Sequence, residues 1–213
     1  MNVNDLISLI LNRGIVLIYG AAGSGKTNLT LWLLSNISKN TKVRQLFYVS
    51  TEGSSYVHLL SRYSFSNNTY FINAINIDHL IDIVLDVCYG KKDIAAIAID
   101  SINNFYRTEA LESNVINRLL NTVMALLAYT RRRTGSYIIV TAQVREADTL
   151  SFSGESLLRF WSDVIACIRK IGGSELGSRE LIFESPNEIA GLSLELRIGD
   201  KGVELRKPSA QHI

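Results

Sequence analysis

Short apolar runs alternate along this chain with longer segments of helical period. Ile15 to Tyr19, Gln45 to Ser50, Ile94 to Ile99 and Tyr137 to Thr141 are strand-length, rich in Val, Ile or Tyr, and bounded by Gly, Asp or polar residues; Tyr70 to Ile72 is a weaker fifth run. Between them Ile77, Leu80, Ile81, Val84, Leu85 and Cys88 recur at i, i+3, i+4, as do Ile116, Leu119, Leu120, Val123, Met124 and Leu127. Each set is one face of an amphipathic helix, and the alternation predicts an α/β fold with a mostly parallel sheet flanked by helices.

The C-terminal third has a different rhythm. Leu192, Leu194, Leu196 and Ile198 alternate with Ser193, Glu195 and Arg197, the period of a half-exposed antiparallel strand. Asp163 to Ile171, Arg179 to Phe183 and Val203 to Arg206 are expected to join it, with turns at Gly172-Gly173-Ser174 and Gly177-Ser178. Pro186 and Pro208 are the only prolines, one in a loop and one in the tail. No repeat or low-complexity linker divides the 213 residues, so the reading is one domain over 1–213.

Composition narrows the class without choosing a function. With 47% hydrophobic and 20% charged residues the chain can bury a core and is too apolar for disorder, and a net charge of +2 is too small to mark a polyanion partner by itself. Cys88 and Cys167 lie far apart without a CxxC or CxxH neighbour, which excludes a disulfide scaffold and a Cys-based zinc site and fits a reducing compartment. His58, His79 and His212 have no ligand spacing. The opening residues carry no positive n-region, and the apolar run stops at Asn12-Arg13-Gly14, so neither a signal peptide nor a membrane span is expected. The location expected is cytoplasmic.

The chemistry begins after the first strand. Gly20, Ala21, Ala22, Gly23, Ser24, Gly25, Lys26 and Thr27 match G-x-x-x-x-G-K-[ST], between the strand at Ile15 to Tyr19 and a helical stretch from Asn28 to Ile37. Such a loop curls backbone N–H groups round phosphate oxygens, Lys26 reaches the β and γ phosphates, and Thr27 offers a hydroxyl to Mg²⁺. ATP with Mg²⁺ is the ligand this predicts. Asp100, closing the strand Ile94 to Ile99, is the second expected metal contact, although an Asp before Ser101-Ile-Asn also suits a helix cap. Glu52, after the strand Gln45 to Ser50, is placed to activate a water. Gln143, after the strand Tyr137 to Thr141, is placed to hydrogen-bond the γ-phosphate.

These four pieces in order, GAAGSGKT, STEGS, IAIDS and TAQV, resemble the RecA/RadA recombinase core, and especially archaeal RadA paralogues of the RadB or RadC type. The resemblance covers nearly the whole chain. It implies a RecA-like P-loop core with C-terminal antiparallel strands, Glu52 in Thr51-Glu52-Gly53 as the catalytic glutamate, Asp100-Ser101 as the Walker B end, and Tyr106-Arg107-Thr108-Glu109 as the start of the first DNA-facing loop. Ile168-Arg169-Lys170, Pro186 to Gly191 and Ile198 to Val203 resemble the family's C-terminal strands. Where recombinases place an arginine near adenine, Ser54-Ser55-Tyr56-Val57-His58 leaves Tyr56 as a stacking substitute.

The departures shape the functional expectation. No helix-hairpin-helix domain or polymerisation linker precedes the first strand, the loop after Glu109 lacks a Gly-Arg-Gly element, and the loop Val144 to Gly154 has Arg145 against Glu146 and Asp148. The reading is therefore a slow Mg²⁺-dependent ATPase, a monomer or small homo-oligomer, that binds single-stranded DNA through Arg107 and Arg145. It also binds a RadA-like recombinase or other repair protein, and regulates recombination and repair without catalysing strand exchange. An ATP-gated signalling or scaffold module of the circadian-clock ATPase kind, without DNA binding, stays open; a helicase-type motor lacks a ring-forming linker and a richly basic loop after Gln143. Arg131-Arg132-Arg133 suits a helix C-terminus, and Lys39, Lys42, Arg44, Lys91 and Lys92 suit solvated faces; none is convincingly interleaved with aromatics.

Overall fold

A computed structural model describes residues 8, 10–41, 44–90, 93–109, 112–144, 151–172 and 177–206, the side chains of Arg107 and Ser113 excepted. In chain order the elements are β1 (Ile15–Gly20), α1 (Lys26–Asn40), β2 (Gln45–Ser50), a 3₁₀ turn (Val57–Arg62), β3 (Thr69–Asn73), α2 (Ile77–Tyr89), β4 (Ile94–Asp100), α3 (Phe105–Thr108), α4 (Ser113–Thr134), β5 (Tyr137–Gln143), α5 (Glu155–Trp161), β6 (Val164–Lys170), β7 (Ser178–Ser185), β8 (Ser193–Gly199) and β9 (Gly202–Leu205). The strands form one sheet in the order β3-β2-β4-β5-β1-β6-β7-β8-β9. From β3 to β6 every pairing is parallel, and from β6 to β9 every pairing is antiparallel.

The parallel strands are apolar throughout because helices cover both of their faces. In β1 the alternation of side chains divides the core: Ile15, Leu17 and Tyr19 pack with Leu80, Val84 and Val87 of α2 and Leu120, Val123 and Leu127 of α4. Val16 and Ile18 pack with Leu29, Leu33 and Ile37 of α1 on the other face. Alanine at positions 96 and 98 of β4, fully buried on the α1 side, lets that helix approach the middle of the sheet.

All five strands anticipated from the apolar runs are present, and α2 and α4 follow the predicted stripes. The stretch Asp163 to Ile171, expected among the antiparallel strands, is the junction between the two halves: β6 runs parallel to β1 and antiparallel to β7. In β8, Leu194 and Leu196 are buried while Ser193 and Arg197 are exposed, as the period of two requires. No described helix is long and apolar enough to cross a membrane. Because β1, β2, β4 and β5 are parallel, their carboxyl ends meet along one edge, with Gly20 in register with Gln143 and Ser50 with Asp100.

Candidate nucleotide-binding site

At that edge β1 turns into α1 through residues 20–25. Gly20 sits so close to β6 that an added Cβ would lie 2.3 Å from the Ile168 carbonyl oxygen. Gly25, the residue before α1, has φ 107°, and a Cβ there would meet Ile198 Cδ1 at 2.3 Å. Two glycines are therefore required by the turn itself, whatever it binds. The turn points the N-terminus of a 15-residue helix, with its positive dipole end, at a cleft of about 330 Å³. Lys26 is buried, and its Nζ donates to the carbonyl oxygens of Gly20 and Ala21, both at 3.0 Å, which holds the ammonium over the loop.

The cleft is lined by Lys26, Thr27, Glu52, Asp100 and Gln143 together. Asp100 is held from two sides, its Oδ2 accepting from the Tyr48 hydroxyl at 2.8 Å and its Oδ1 accepting from Thr141 Oγ1. Burial, reinforced by the Asp100 charge, pushes the Tyr48 phenol far above its ordinary range, so Tyr48 remains a donor and Asp100 an acceptor. Asp100 is thus a positioned carboxylate and not a helix cap.

The turn after β4 ties the neighbouring strands to it. Ser101 Oγ donates to Glu52 Oε1 at 2.7 Å, Asn104 Nδ2 donates to the Thr51 carbonyl at 2.7 Å, and Thr51 Oγ1 donates to the Ser101 carbonyl at 2.6 Å. Asn103 makes a reciprocal pair with Gln143: its Oδ1 accepts from the Gln143 N–H and its Nδ2 donates to the Gln143 carbonyl, both at 2.9 Å. The amide side chains of this turn thereby fix the main chain on which both Glu52 and Gln143 are carried.

A residue from the far half of the sheet completes the wall. Arg179, at the start of β7, lines the cleft; its Nε donates to the Ser24 carbonyl at 2.9 Å and its Nη1 to the Ser178 carbonyl at 2.8 Å. Both acceptors are neutral, so its charge is left for a ligand, and burial lowers the guanidinium pKa from its ordinary value. Nothing in the sequence near Arg179 marks it, because only the β6–β7 pairing brings it to the loop. Asn103 and Asn104 were more legible: a run of Ser and Asn directly after a strand-ending acid is rich in side-chain donors.

The expected residues do not all meet here. Tyr56, predicted to stack on adenine, is 4% exposed and does not line the cleft; its ring packs at 4.8 Å from Tyr48 and 5.9 Å from Phe71 in the core. The pull is hydrophobic: the 3₁₀ turn folds back over the α1 side of the sheet and takes Tyr56 with it, leaving Ser55, His58 and Leu59 as the lining residues. Arg145 lies outside the described residues, and so does the side chain of Arg107, whose backbone belongs to α3 immediately after the Asn103–Asn104 turn.

The donor set suits a nucleotide triphosphate with Mg²⁺. Magnesium takes one or two protein ligands and completes its shell with phosphate oxygens and water, and Thr27 with Asp100 offers that number in one cleft. Two cations, Lys26 and Arg179, face it with the helix N-terminus.

No family model matches the chain. It is 30% identical over 199 residues to the DNA repair and recombination protein RadB of Methanosphaera stadtmanae, covering 87% of this chain and 84% of that one. It is 27% identical to the RadB protein of Methanocaldococcus jannaschii, with 91% and 94% covered, and 28% identical to that of Methanococcus maripaludis, with 91% and 92% covered. The crystal structure of the RadB recombinase shares the fold at a TM-score of 0.75 and 21% identity over 93% of each chain. With its RecA-like sheet and a likeness to these proteins over most of each chain, the chain belongs to the RadB family of DNA repair and recombination proteins.

Proposed function

We propose that this protein binds and slowly hydrolyses ATP with Mg²⁺, and that it contacts single-stranded DNA and a RadA-like recombinase to regulate recombination and repair in the cytoplasm. The observation that carries the ATP reading is the convergence of Lys26, Thr27, Glu52, Asp100 and Gln143 on one cleft at the carboxyl edge of the sheet. The RadB relatives carry the recombination and repair reading.

Each residue has a role that follows from its chemistry and place. Lys26 is a point charge for the β and γ phosphates, joined by the guanidinium of Arg179. Thr27 and Asp100 hold the metal, which when bound neutralises phosphate charge. Glu52, oriented by Ser101, accepts a proton from the attacking water. Gln143 hydrogen-bonds the γ-phosphate, and its Asn103 clamp transmits loss of that contact to the segment after β5, where Arg145 is proposed to meet a DNA strand together with Arg107. The domain works as a monomer or small oligomer.

Glu52→Gln tests the assignment: ATP binding by titration calorimetry should persist while hydrolysis falls about 10²- to 10³-fold. Unchanged turnover would remove Glu52 from the role of base. Anisotropy of a labelled single strand at two salt concentrations tests the DNA arm, because phosphate contacts weaken as salt rises. No binding at low salt would transfer the reading to an ATP-gated scaffold.

A further inference from the structure

The amino edge of the sheet, at the opposite end from the nucleotide cleft, has an unusual surface. In a parallel α/β sheet each helix runs back against the strand that follows it, so the last turns of α2, α4 and α5 all lie at this edge, beside the starts of β4, β5 and β6. The last two turns of these helices carry the exposed rings of Tyr89 (64%), Tyr129 (47%) and Phe160 (81%). The same region holds Arg131, Arg132 and Arg133.

The side chains form a band in which cations and rings are neighbours. Arg131 and Arg132 line an open depression of about 500 Å³ with Arg13, Phe160 and Trp161, and Phe160 stands edge-on to Trp161 with ring centres 5.6 Å apart. Next along α4, Arg133 lies over the Tyr129 ring at 5.8 Å, and Tyr129 is 6.2 Å from the Tyr89 ring.

The charge of this band is largely uncompensated. Arg131 donates to the carbonyls of Asn12 and Ser136, each at 2.9 Å, and Arg133 to the carbonyl of Cys88, so their positions are fixed without neutralising them. Asp163, which accepts from the Ile15 N–H at 2.8 Å, is the one acid among the described residues lining the depression, against three arginines, Arg13, Arg131 and Arg132. Arg13 pairs with Glu188 at 3.3 Å, but both groups are solvent-exposed and screened.

We propose that this amino-edge band is a second binding surface for single-stranded nucleic acid, separate from the loops after β4 and β5. Bases stack on Phe160, Tyr129 and Tyr89, while the backbone phosphates meet the guanidinium groups of Arg132, Arg131 and Arg133. The alternation of exposed rings and fixed cations favours a single strand over a duplex, whose bases already stack on each other, and over an acidic peptide, which has no planar faces to match the rings. The inference does not depend on hydrolysis or on Arg107 and Arg145.

The test is anisotropy of a labelled oligothymidine with the full chain and its Phe160→Ala and Arg132→Glu variants. Both side chains are exposed, and thermal unfolding and ATP binding should match the unsubstituted protein. Each variant should bind the strand about tenfold more weakly. Arg132→Glu should also flatten the salt dependence, whereas Phe160→Ala should leave its slope unchanged. Wild-type affinity in both variants, with affinity lost instead on charge reversal of Arg107 and Arg145, would overturn the proposal while leaving the loop-face reading intact. Equal loss of duplex binding would overturn the assignment to a single strand, and displacement by polyglutamate with no effect of Phe160→Ala would reassign the band to an acidic protein segment.

Discussion

At the carboxyl edge of the sheet the candidate groups line one cleft, on a scaffold of short side chains that bind one another and the main chain; at the amino edge they are long, and most of them stand in solvent. Asp100 is 5% exposed and held by Tyr48 and Thr141, whereas Phe160 is 81% exposed and touches only its neighbour Trp161 among the rings. The first arrangement suits chemistry, where a group must be fixed in place before the ligand arrives. The second suits recognition of a flexible polymer, where each contact is weak, sequence-tolerant and additive. Substitutions at the two edges should therefore differ in kind: the carboxyl edge should lose nucleotide affinity or stability, and Phe160 or Arg132 at the amino edge should lose neither.

The largest effect is expected at Lys26. Removing a buried charge-assisted donor costs about 3 kcal/mol, so Lys26→Ala should weaken ATP binding about a hundredfold or more by calorimetry. Retained affinity would mean that the cleft does not work as a P-loop. Asn103→Ala comes next and probes the scaffold: it leaves both main-chain groups of Gln143 without their partners, and unfolding stability should fall by about 2 kcal/mol. For a chain of this size that is a drop of roughly 4–8 °C in the thermal midpoint. A midpoint unchanged in Asn103→Ala would show that the amide clamp does not hold the edge together.

Arg179→Ala should have the smallest of these effects and draws the finest distinction. Its guanidinium holds two carbonyls, so its loss should lower stability by about 1 kcal/mol while weakening ATP binding about tenfold, or about 1.4 kcal/mol. ADP, which lacks the γ-phosphate, would show whether the contact is to the terminal phosphate or nearer the base. Full ATP affinity in Arg179→Ala would limit the residue to supporting the loop through Ser24.

The sequence by itself determined the glycine-rich turn between β1 and α1, the parallel half of the sheet, and the strand ends carrying Glu52, Asp100 and Gln143. It could do so because each rests on contiguous residues: the loop is a local turn between a strand and a helix, and a strand-end acid is placed by the strand before it. Tyr56 shows where local reasoning stops. Its neighbourhood after Thr51-Glu52-Gly53 suggested a ligand contact, but hydrophobic burial against Tyr48 and Phe71 decided otherwise, and those partners come from other strands. Arg179 and the amino-edge band depended wholly on tertiary structure. Arg179 reaches Ser24 only through the antiparallel pairing of β6 with β7, and Tyr89, Arg132 and Phe160 become neighbours only because three helices end at the same edge. Periodicity fixes which face of an element is buried, but which ends of distant elements meet is set by strand order and direction, and that is a property of the assembled sheet.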